Sequence, residues 1–271
     1  MSASDGRVAG KRVVITGAAR GMGRSHAVRL AEEGADVVLI DVCESLPGLE
    51  YPLASIDDLE ETARLVRAHG RRAVTKVVDV RDEEAMKRAV ADAGTELGGL
   101  DAAVANAGVL TAGLWSETTN EHWRLVLDVN LIGAWNTCVA ALPFILEQGG
   151  GSLVNISSAA AIKGNPLHIP YTASKQAIVG MSIALANELA AQSVRVNTVH
   201  PTGVMTGMAP ATIHTLLAET RTDLAPLFGN ALPTPLIEPV DVSNAVLYLV
   251  SDESRYVTGL QFKVDAGVTI R

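Results

Sequence analysis

Seven short apolar runs alternate with helix-length segments, and this alternation limits the fold more than any other feature of the chain. The runs are Arg12–Thr16, Asp36–Asp41, Ala73–Val80, Leu100–Asn106, Ser152–Ser157, Val194–His200 and Gln261–Val264. Their near-continuous Val, Ile, Leu and Ala content suits strands buried on both faces. Because a helix separates successive strands, the connections are crossovers and the sheet is parallel, with helices on both faces. The expected architecture is α/β: a single doubly wound domain built on a seven-stranded parallel sheet. Amphipathic spacing marks helices over Asp58–Ala68 and Glu83–Leu97, and Gly34, Gly70 and Gly98 read as helix stops. Short connections leave no linker, so residues 1–271 read as one domain. Two connections exceed the usual length, an insertion over 42–55 and a loop region over 201–239.

Composition removes several classes of function. At 271 residues and 48% hydrophobic the chain can bury a large core, and its net charge of −8 offers no field for a phosphate backbone. No nucleic-acid partner is expected. Cys43 and Cys138 form no Cys-x-x-Cys pair and no metal-ligand spacing such as His-Glu-x-x-His occurs, so neither a disulfide framework nor a metal site is implied. Met1–Lys11 has no apolar leader core. The uncharged stretch Val129–Leu146 approaches membrane-span length, but Asn130, Asn136 and Pro143 interrupt it, and it reads as a buried helix. A cytoplasmic protein with no membrane partner is expected.

Glycines cluster where the first strand meets the first helix, in Thr16-Gly-Ala-Ala-Arg-Gly-Met-Gly23. Such a turn lets the backbone approach a pyrophosphate, and the amides of the helix N-terminus face it with a favourable dipole. The spacing Gly17, Gly21, Gly23 departs from G-x-G-x-x-G, so the turn alone is weak evidence. Asp41 ends the second strand, where a carboxylate accepts from both adenosine ribose hydroxyls and repels a 2′-phosphate. NAD is favoured over NADP, with Arg20 and Arg24 as the groups that would offer a phosphate some compensation. Asp79 and Asn106-Ala107-Gly108 fall at the same carboxyl edge of the sheet, as turn formers or as ligand contacts.

Tyr171 and Lys175 stand four apart at the start of a long helical segment, so the phenol and the ammonium share a face. A phenol is a poor base near neutrality; lowering its pKa by ~3 units takes about 4 kcal/mol of phenolate stabilisation. The lysine charge together with an oxidised nicotinamide would supply it. Ser158, or its neighbour Ser157, ends the fifth strand and could hold a substrate oxygen; either could equally be a cap. Asn130 is either a satisfied core amide or part of a water path.

Taken together, Thr-Gly-x-x-x-Gly-x-Gly, Asn-Ala-Gly, an Asn in the fourth crossover, Ser and Tyr-x-x-x-Lys resemble the short-chain dehydrogenase/reductase family over nearly the whole chain. The resemblance implies a Rossmann-type fold and a catalytic tetrad of Asn130, Ser158, Tyr171 and Lys175. Tyr171 would be general acid/base, Ser158 would position the substrate oxygen, Lys175 would bind the nicotinamide ribose, and Asn130 would support a proton relay. Cofactor contacts would fall on Gly17, Arg20, Gly21, Met22, Gly23, Asp41, Asp79, Val80, Asn106, Ala107, Gly108, Tyr171, Lys175, Pro201, Gly203, Val204 and Thr206. Thr202 stands where the family carries a glycine after the sixth strand, which leaves that backbone open. The glycine turn, Tyr51-Pro-Leu-Ala, His-Pro-Thr-Gly-Val and Val-Asp-Ala-Gly are similar to one subgroup, the carveol-dehydrogenase-like, mycofactocin-associated enzymes of actinobacteria. That resemblance implies NAD held under the insertion through turnover, a separate redox carrier such as mycofactocin as its oxidant, and a homotetramer.

The loop region carries Met205, Met208, Ile213, Leu216, Leu217, Leu224 and Phe228 with Arg221 as an isolated cation, the composition of a lid over an apolar substrate or of a packed helix pair. The expected reaction interconverts a hydrophobic secondary alcohol, a carveol-like terpenoid, and its ketone. A 3-oxoacyl or other ketone reductase is the nearest alternative. A catalytically silent dinucleotide-sensing protein is the alternative of another class. His168 either lines the substrate pocket or is a loop residue, and His200 reads as strand-end packing.

Overall fold

The computed structural model describes residues 6–208 and 210–271. The first five residues of the Met1–Lys11 segment therefore lie outside the described residues. Seven parallel strands form one sheet in the order β3-β2-β1-β4-β5-β6-β7. They are β1 (Arg12–Thr16), β2 (Asp36–Asp41), β3 (Ala73–Val77), β4 (Ala102–Ala105), β5 (Gly151–Ile156), β6 (Val194–Pro201) and β7 (Gln261–Val264). The order reverses between β1 and β4, which pair Val13 with Ala102 through Ile15 with Val104. Ligands of such sheets bind at that reversal, beyond the carboxyl ends of the strands.

Alternate strand residues feed two cores. Val13, Ile15, Val37 and Leu39 pack on α1 (Gly21–Glu32), α2 (Ile56–Ala68) and α9 (Pro239–Val250). Val14, Val38 and Ile40 pack on the other side, against α3 (Glu83–Leu97), α5 (Gly133–Glu147) and α7 (Ile169–Leu189). Two of the helix starts have a side-chain cause. Ser55 and Asp58 form a reciprocal capping box for α2, and Asp82 accepts from the Ala85 amide at the start of α3. Gly34, Gly70 and Gly98 all take positive φ where helices stop, the left-handed conformation that costs glycine least.

Two strands are shorter than the apolar runs suggest. β3 stops at Val77 because Asp79 folds the chain into a turn, accepting from the Arg81 amide at 2.9 Å. β4 stops at Ala105 because the next amide, of Asn106, leaves the ladder for the Thr16 hydroxyl. The apolar stretch Val129–Leu146 is helical and mostly buried, packed on α3 and β4. By length and hydropathy the continuous helical run Asn120–Glu147 would pass for a membrane span, yet 56% of its most apolar window is buried in this fold. It is not a regular α-helix throughout. Between α4 (Asn120–Leu127) and α5 the residues Asp128–Ile132 form a π-turn, a local widening often found at functional sites. Asn130 lies within it.

Candidate active site

The glycine turn shapes a cleft at the reversal of strand order. Gly17 and Gly21 take φ of +66° and +55°, and a β-carbon on Gly23 would sit 2.0 Å from the Gly17 carbonyl oxygen. The α1 N-terminus has no side-chain cap, so its first amides remain free to face a ligand. Asn106 locks the turn from β4, its side-chain amide donating to the carbonyls of Thr16 at 2.9 Å and Gly17 at 3.2 Å. The Asn106 Oδ1 atom is buried without a partner. Gly17, Arg20, Gly21, Met22, Asp41, Asp79, Val80, Asn106, Ala107, Gly108 and Thr206 all line this cleft, which is open to solvent. Gly23 lies beneath its floor, where its missing side chain permits the turn.

Asp41 is placed as expected at the end of β2. One oxygen accepts from the Ala19 amide at 2.9 Å, and burial raises the pKa of the carboxyl. Arg24 is not free for a phosphate: its guanidinium donates to Thr62 and to the carbonyls of Ala19 and Asp58. Arg20 lines the cleft but donates to the Pro52 carbonyl at 2.6 Å. Asp79 is held by Arg81. An adenine dinucleotide with an unphosphorylated ribose fits this set of donors, acceptors and bare backbone.

A second cavity of about 1180 Å³ adjoins the cleft, and Met22, Thr206 and Met208 line both. Tyr171 and Ser158 stand on its wall. Lys175 lies behind them, 3% exposed, with its ammonium 5.6 Å from the centre of the Tyr171 ring and donating to the Ile156 carbonyl at 2.8 Å. Burial lowers its pKa to about 8. Asn130 is fully buried; its carboxamide exchanges hydrogen bonds with the Val109 backbone and donates to Ser174 Oγ at 3.0 Å. A β-carbon on Gly108 would lie 3.3 Å from the Asn130 oxygen and 3.4 Å from the Lys175 nitrogen. All four polar groups therefore converge on the junction of cleft and cavity, with Asn130 and Lys175 behind Gly108 rather than on an open wall.

The chain's own residues do not by themselves turn the Tyr171 phenol into a base. The phenol of Tyr171 is pushed up by burial, and the Ser158 hydroxyl is the group that pulls it back. Further lowering requires the Lys175 charge acting together with what binds beside the phenol. Between the two serine candidates the choice is clear. Ser157 is buried and donates to the Lys175 carbonyl at 2.8 Å, whereas Ser158 is partly exposed, its hydroxyl accepting from the Ala160 amide to cap α6 (Ala159–Lys163) and reaching the Tyr171 phenol.

Three pairings around the site escaped the sequence. His200 does more than pack: its Nδ1 lies 3.0 Å from the Ser158 carbonyl and its Nε2 2.8 Å from Thr198 Oγ1, so it anchors the serine from β6. Tyr51, in the 42–55 insertion, accepts from the Leu110 amide at 2.8 Å and lines the cofactor cleft. Thr202 needs no unusual backbone, and its hydroxyl donates to Asn230 at 2.7 Å, tying the 201–239 segment together. Within that segment Met208, Ile213, Leu217 and Phe228 line the cavity, with Pro201, Gly203, Val204 and Thr206 at its base. Met205, Leu216 and Leu224 lie off the wall; Met205 is instead 56% exposed. Residue 209 lies outside the described residues.

The fold and this convergence define a dinucleotide-dependent oxidoreductase. A family model described as enoyl-(acyl carrier protein) reductase matches residues 17–269. The chain is 46% identical over 275 residues to (-)-trans-carveol dehydrogenase of Rhodococcus erythropolis, covering 98% of this chain and 99% of that relative. It is 38% identical over 264 residues to the 3-alpha-(or 20-beta)-hydroxysteroid dehydrogenase of Mycobacterium bovis, covering 97% and 90%. Among solved structures it resembles a short chain dehydrogenase from Mycobacterium paratuberculosis bound to NAD, with a TM-score of 0.95 at 46% identity over 98% of this chain and 100% of that one. Carveol dehydrogenase from Mycobacterium avium in complex with NAD gives a TM-score of 0.93 at 46% identity, with coverage of 98% and 100%. The chain belongs to the short-chain dehydrogenase/reductase family.

Proposed function

We propose that this protein uses NAD to interconvert a hydrophobic secondary alcohol, a carveol-like terpenoid, and its ketone, with Tyr171 as general acid/base. The observation that carries this reading is the position of Tyr171, on the wall of a mostly apolar cavity, beside Ser158 and in front of Lys175, where that cavity meets the dinucleotide cleft. Bound NAD supplies the hydride acceptor. In the oxidising direction the Ser158 hydroxyl orients the substrate oxygen toward the phenol, and Tyr171 takes the hydroxyl proton. Lys175 favours the phenolate through its charge. Asn130, held by Val109 and Ser174, lies with Lys175 behind Gly108, on the side from which a proton leaves the phenol.

Support for NAD over NADP comes from the half-buried Asp41 carboxylate and the committed Arg24. An anionic carrier-bound acyl substrate finds little support, since Arg221 pairs with Asp223 at 2.9 Å. The 42–55 insertion, fixed through Tyr51 and through Glu50 to Thr212, supports NAD held through turnover and reoxidised by a separate carrier of the mycofactocin type. Ile132, Trp135 and Ile183 are exposed on α5, its π-turn and α7, as expected of faces that meet in a homotetramer. A cytoplasmic setting accords with the free thiols Cys43 and Cys138.

Tyr171→Phe tests the central claim. Carveol oxidation should fall by about 10²–10⁴-fold while the protein still carries NAD. Undiminished turnover would remove Tyr171 from its role and reopen the reading of a silent dinucleotide sensor.

A further inference from the structure

Among the described residues, His168 is the polar side chain on the substrate cavity that is buried with a nitrogen lacking a hydrogen-bond partner. The residue is 6% exposed, its Nδ1 atom is buried with no hydrogen bond, and its ring lines the cavity. Buried polar atoms are rarely left unpaired, because burial removes water without replacing it. Other buried or half-buried polar groups there are engaged, Ser157 with Lys175, Thr202 with Asn230, and Ser158 with Ala160 and Tyr171, while Asn165 and His214 on the same wall are more open to solvent than His168.

The backbone holds His168 in this position. Leu167, just before it, is buried with φ of +66°, a left-handed conformation that a branched side chain adopts only when the surroundings impose it. The Leu167 carbonyl is fixed by the Gly113 amide at 2.8 Å. His168 follows as the N-cap of α7, but its side chain caps nothing. Its ring stands edge-on between Tyr171, at 5.6 Å between centroids, and Phe228 of the 201–239 segment, at 5.8 Å. That backbone sets an imidazole with an unpaired, buried Nδ1 against the cavity wall, between two aromatic rings.

We propose that His168 is a specificity-determining residue whose imidazole hydrogen-bonds a second oxygen of the substrate, a few bonds from the carbinol oxygen handled by Tyr171. The inference rests on the reading of this cavity as the alcohol site and deepens it: within the class of hydrophobic secondary alcohols, those carrying a second oxygen, such as diols, ketols or hydroxy ethers, are preferred over the parent monoalcohols. Burial holds the ring neutral, with its pKa lowered to about 4, so it donates from one nitrogen and accepts at the other. Much of the remaining wall is apolar, with Leu110, Ile213, Leu217 and Leu236 on it, and that surface by itself disfavours an added hydroxyl.

The test compares cyclohexanol with the 1,2-, 1,3- and 1,4-cyclohexanediols on the NAD-loaded protein, by steady-state oxidation and by calorimetric binding. The wild type should favour at least one diol by about tenfold, the scale of one hydrogen bond in a dry site. His168→Phe, which keeps an aromatic ring, should collapse the diol-to-cyclohexanol ratio toward one, and His168→Asn should restore part of it. No diol preference in the wild type, or a ratio retained by His168→Phe, would overturn the proposal. If no alcohol is oxidised but the binding preference exists and depends on His168, the redox reading fails and this one stands. Oxidation of all four alcohols without preference leaves the reaction standing and sinks the role of His168.

Discussion

The Lys175 ammonium donates to the carbonyl of Ile156, the last residue of β5, while lying 5.6 Å from the centre of the Tyr171 ring. A strand end thus fixes the distance between cation and phenol, and the helix that carries both residues cannot rotate without breaking that bond. Lys175→Met keeps length and apolar bulk but removes the charge and leaves the Ile156 carbonyl unpaired. With the positive charge gone, the Tyr171 pKa rises further. Oxidation should fall by roughly 10²-fold at neutral pH and the acidic limb of its pH profile should move upward. Lys175→Arg should not restore it, because a planar fork does not fit a slot that leaves Lys175 3% exposed. An unchanged pH profile in Lys175→Met would separate the cation from the phenol.

Gly23→Ala should abolish cofactor binding. The added carbon would lie 2.0 Å from the Gly17 carbonyl oxygen and 2.8 Å from the Asn106 side-chain nitrogen, and the nearest of these atoms is backbone. Relief requires moving the α1 N-terminus away from β1, which takes the phosphate-facing amides with it. Nucleotide released on denaturation should drop to background. Retained stoichiometric NAD would show that the turn yields more than its geometry suggests.

Tyr51→Phe isolates the insertion. The substitution deletes one hydroxyl and leaves the Leu110 amide without its acceptor, at a cost of about 1–3 kcal/mol if that amide stays dry. The loosened strap should let NAD escape on dialysis and make turnover depend on added NAD. If the variant keeps its nucleotide as the wild type does, the contacts of Glu50 with Thr212 and of Arg20 with Pro52 suffice to hold the strap.

What could be read from the sequence follows the range of the interactions. Tyr171 and Lys175 were legible because a helix imposes the four-residue spacing, and Gly17, Gly21 and Gly23 because a strand-to-helix turn is local. Asp41 was legible as the end of an apolar run. By contrast, His200 reaches Ser158 across two strands, Tyr51 reaches Leu110 across the cleft and Thr202 reaches Asn230 across a loop. None of these pairings leaves a period in the sequence. Asn130 was found as a polar residue in an apolar stretch, but the π-turn that aims it depends on the helix being held at both ends. The length of β3 was overestimated for a related reason: Val78 and Val80 are apolar, yet Asp79 between them engages Arg81 and turns the chain.

Cofactor choice should respond to Asp41. Its carboxylate is partly desolvated and lies where a 2′-phosphate would have to fit. Asp41→Ser removes the repulsion and supplies a hydroxyl, while giving up the hydrogen bond from the Ala19 amide. The ratio of kcat/KM with NAD to that with NADP should fall by about tenfold or more, at some cost in stability. The ratio is the measurement that matters, since a general loss of activity would change both terms alike. A ratio that does not move would place the discrimination elsewhere, with Arg20 the next residue to test.

Acid sensitivity should trace to buried histidines. His26 is fully buried between α1 and α9, with Nδ1 2.8 Å from Ser243 Oγ and Nε2 unpartnered, and burial lowers its pKa to about 3. An unfolded histidine takes up its proton near pH 6.5, so between that value and about 3 the unfolded chain binds more protons than the folded one. Stability therefore falls as the pH is lowered through this window, by roughly 2 kcal/mol at pH 5 from His26 alone. His168, lowered to about 4, adds a loss of the same sign. His26→Asn removes the titrating group. Its unfolding free energy, measured in urea at pH 7 and pH 5, should be lower than wild type at pH 7 because the packing is poorer. It should nevertheless lose about 2 kcal/mol less between the two pH values. Equal losses in variant and wild type would mean that His26 is hydrated or protonated in the folded state, and that the acid limit of this protein lies in its carboxylates.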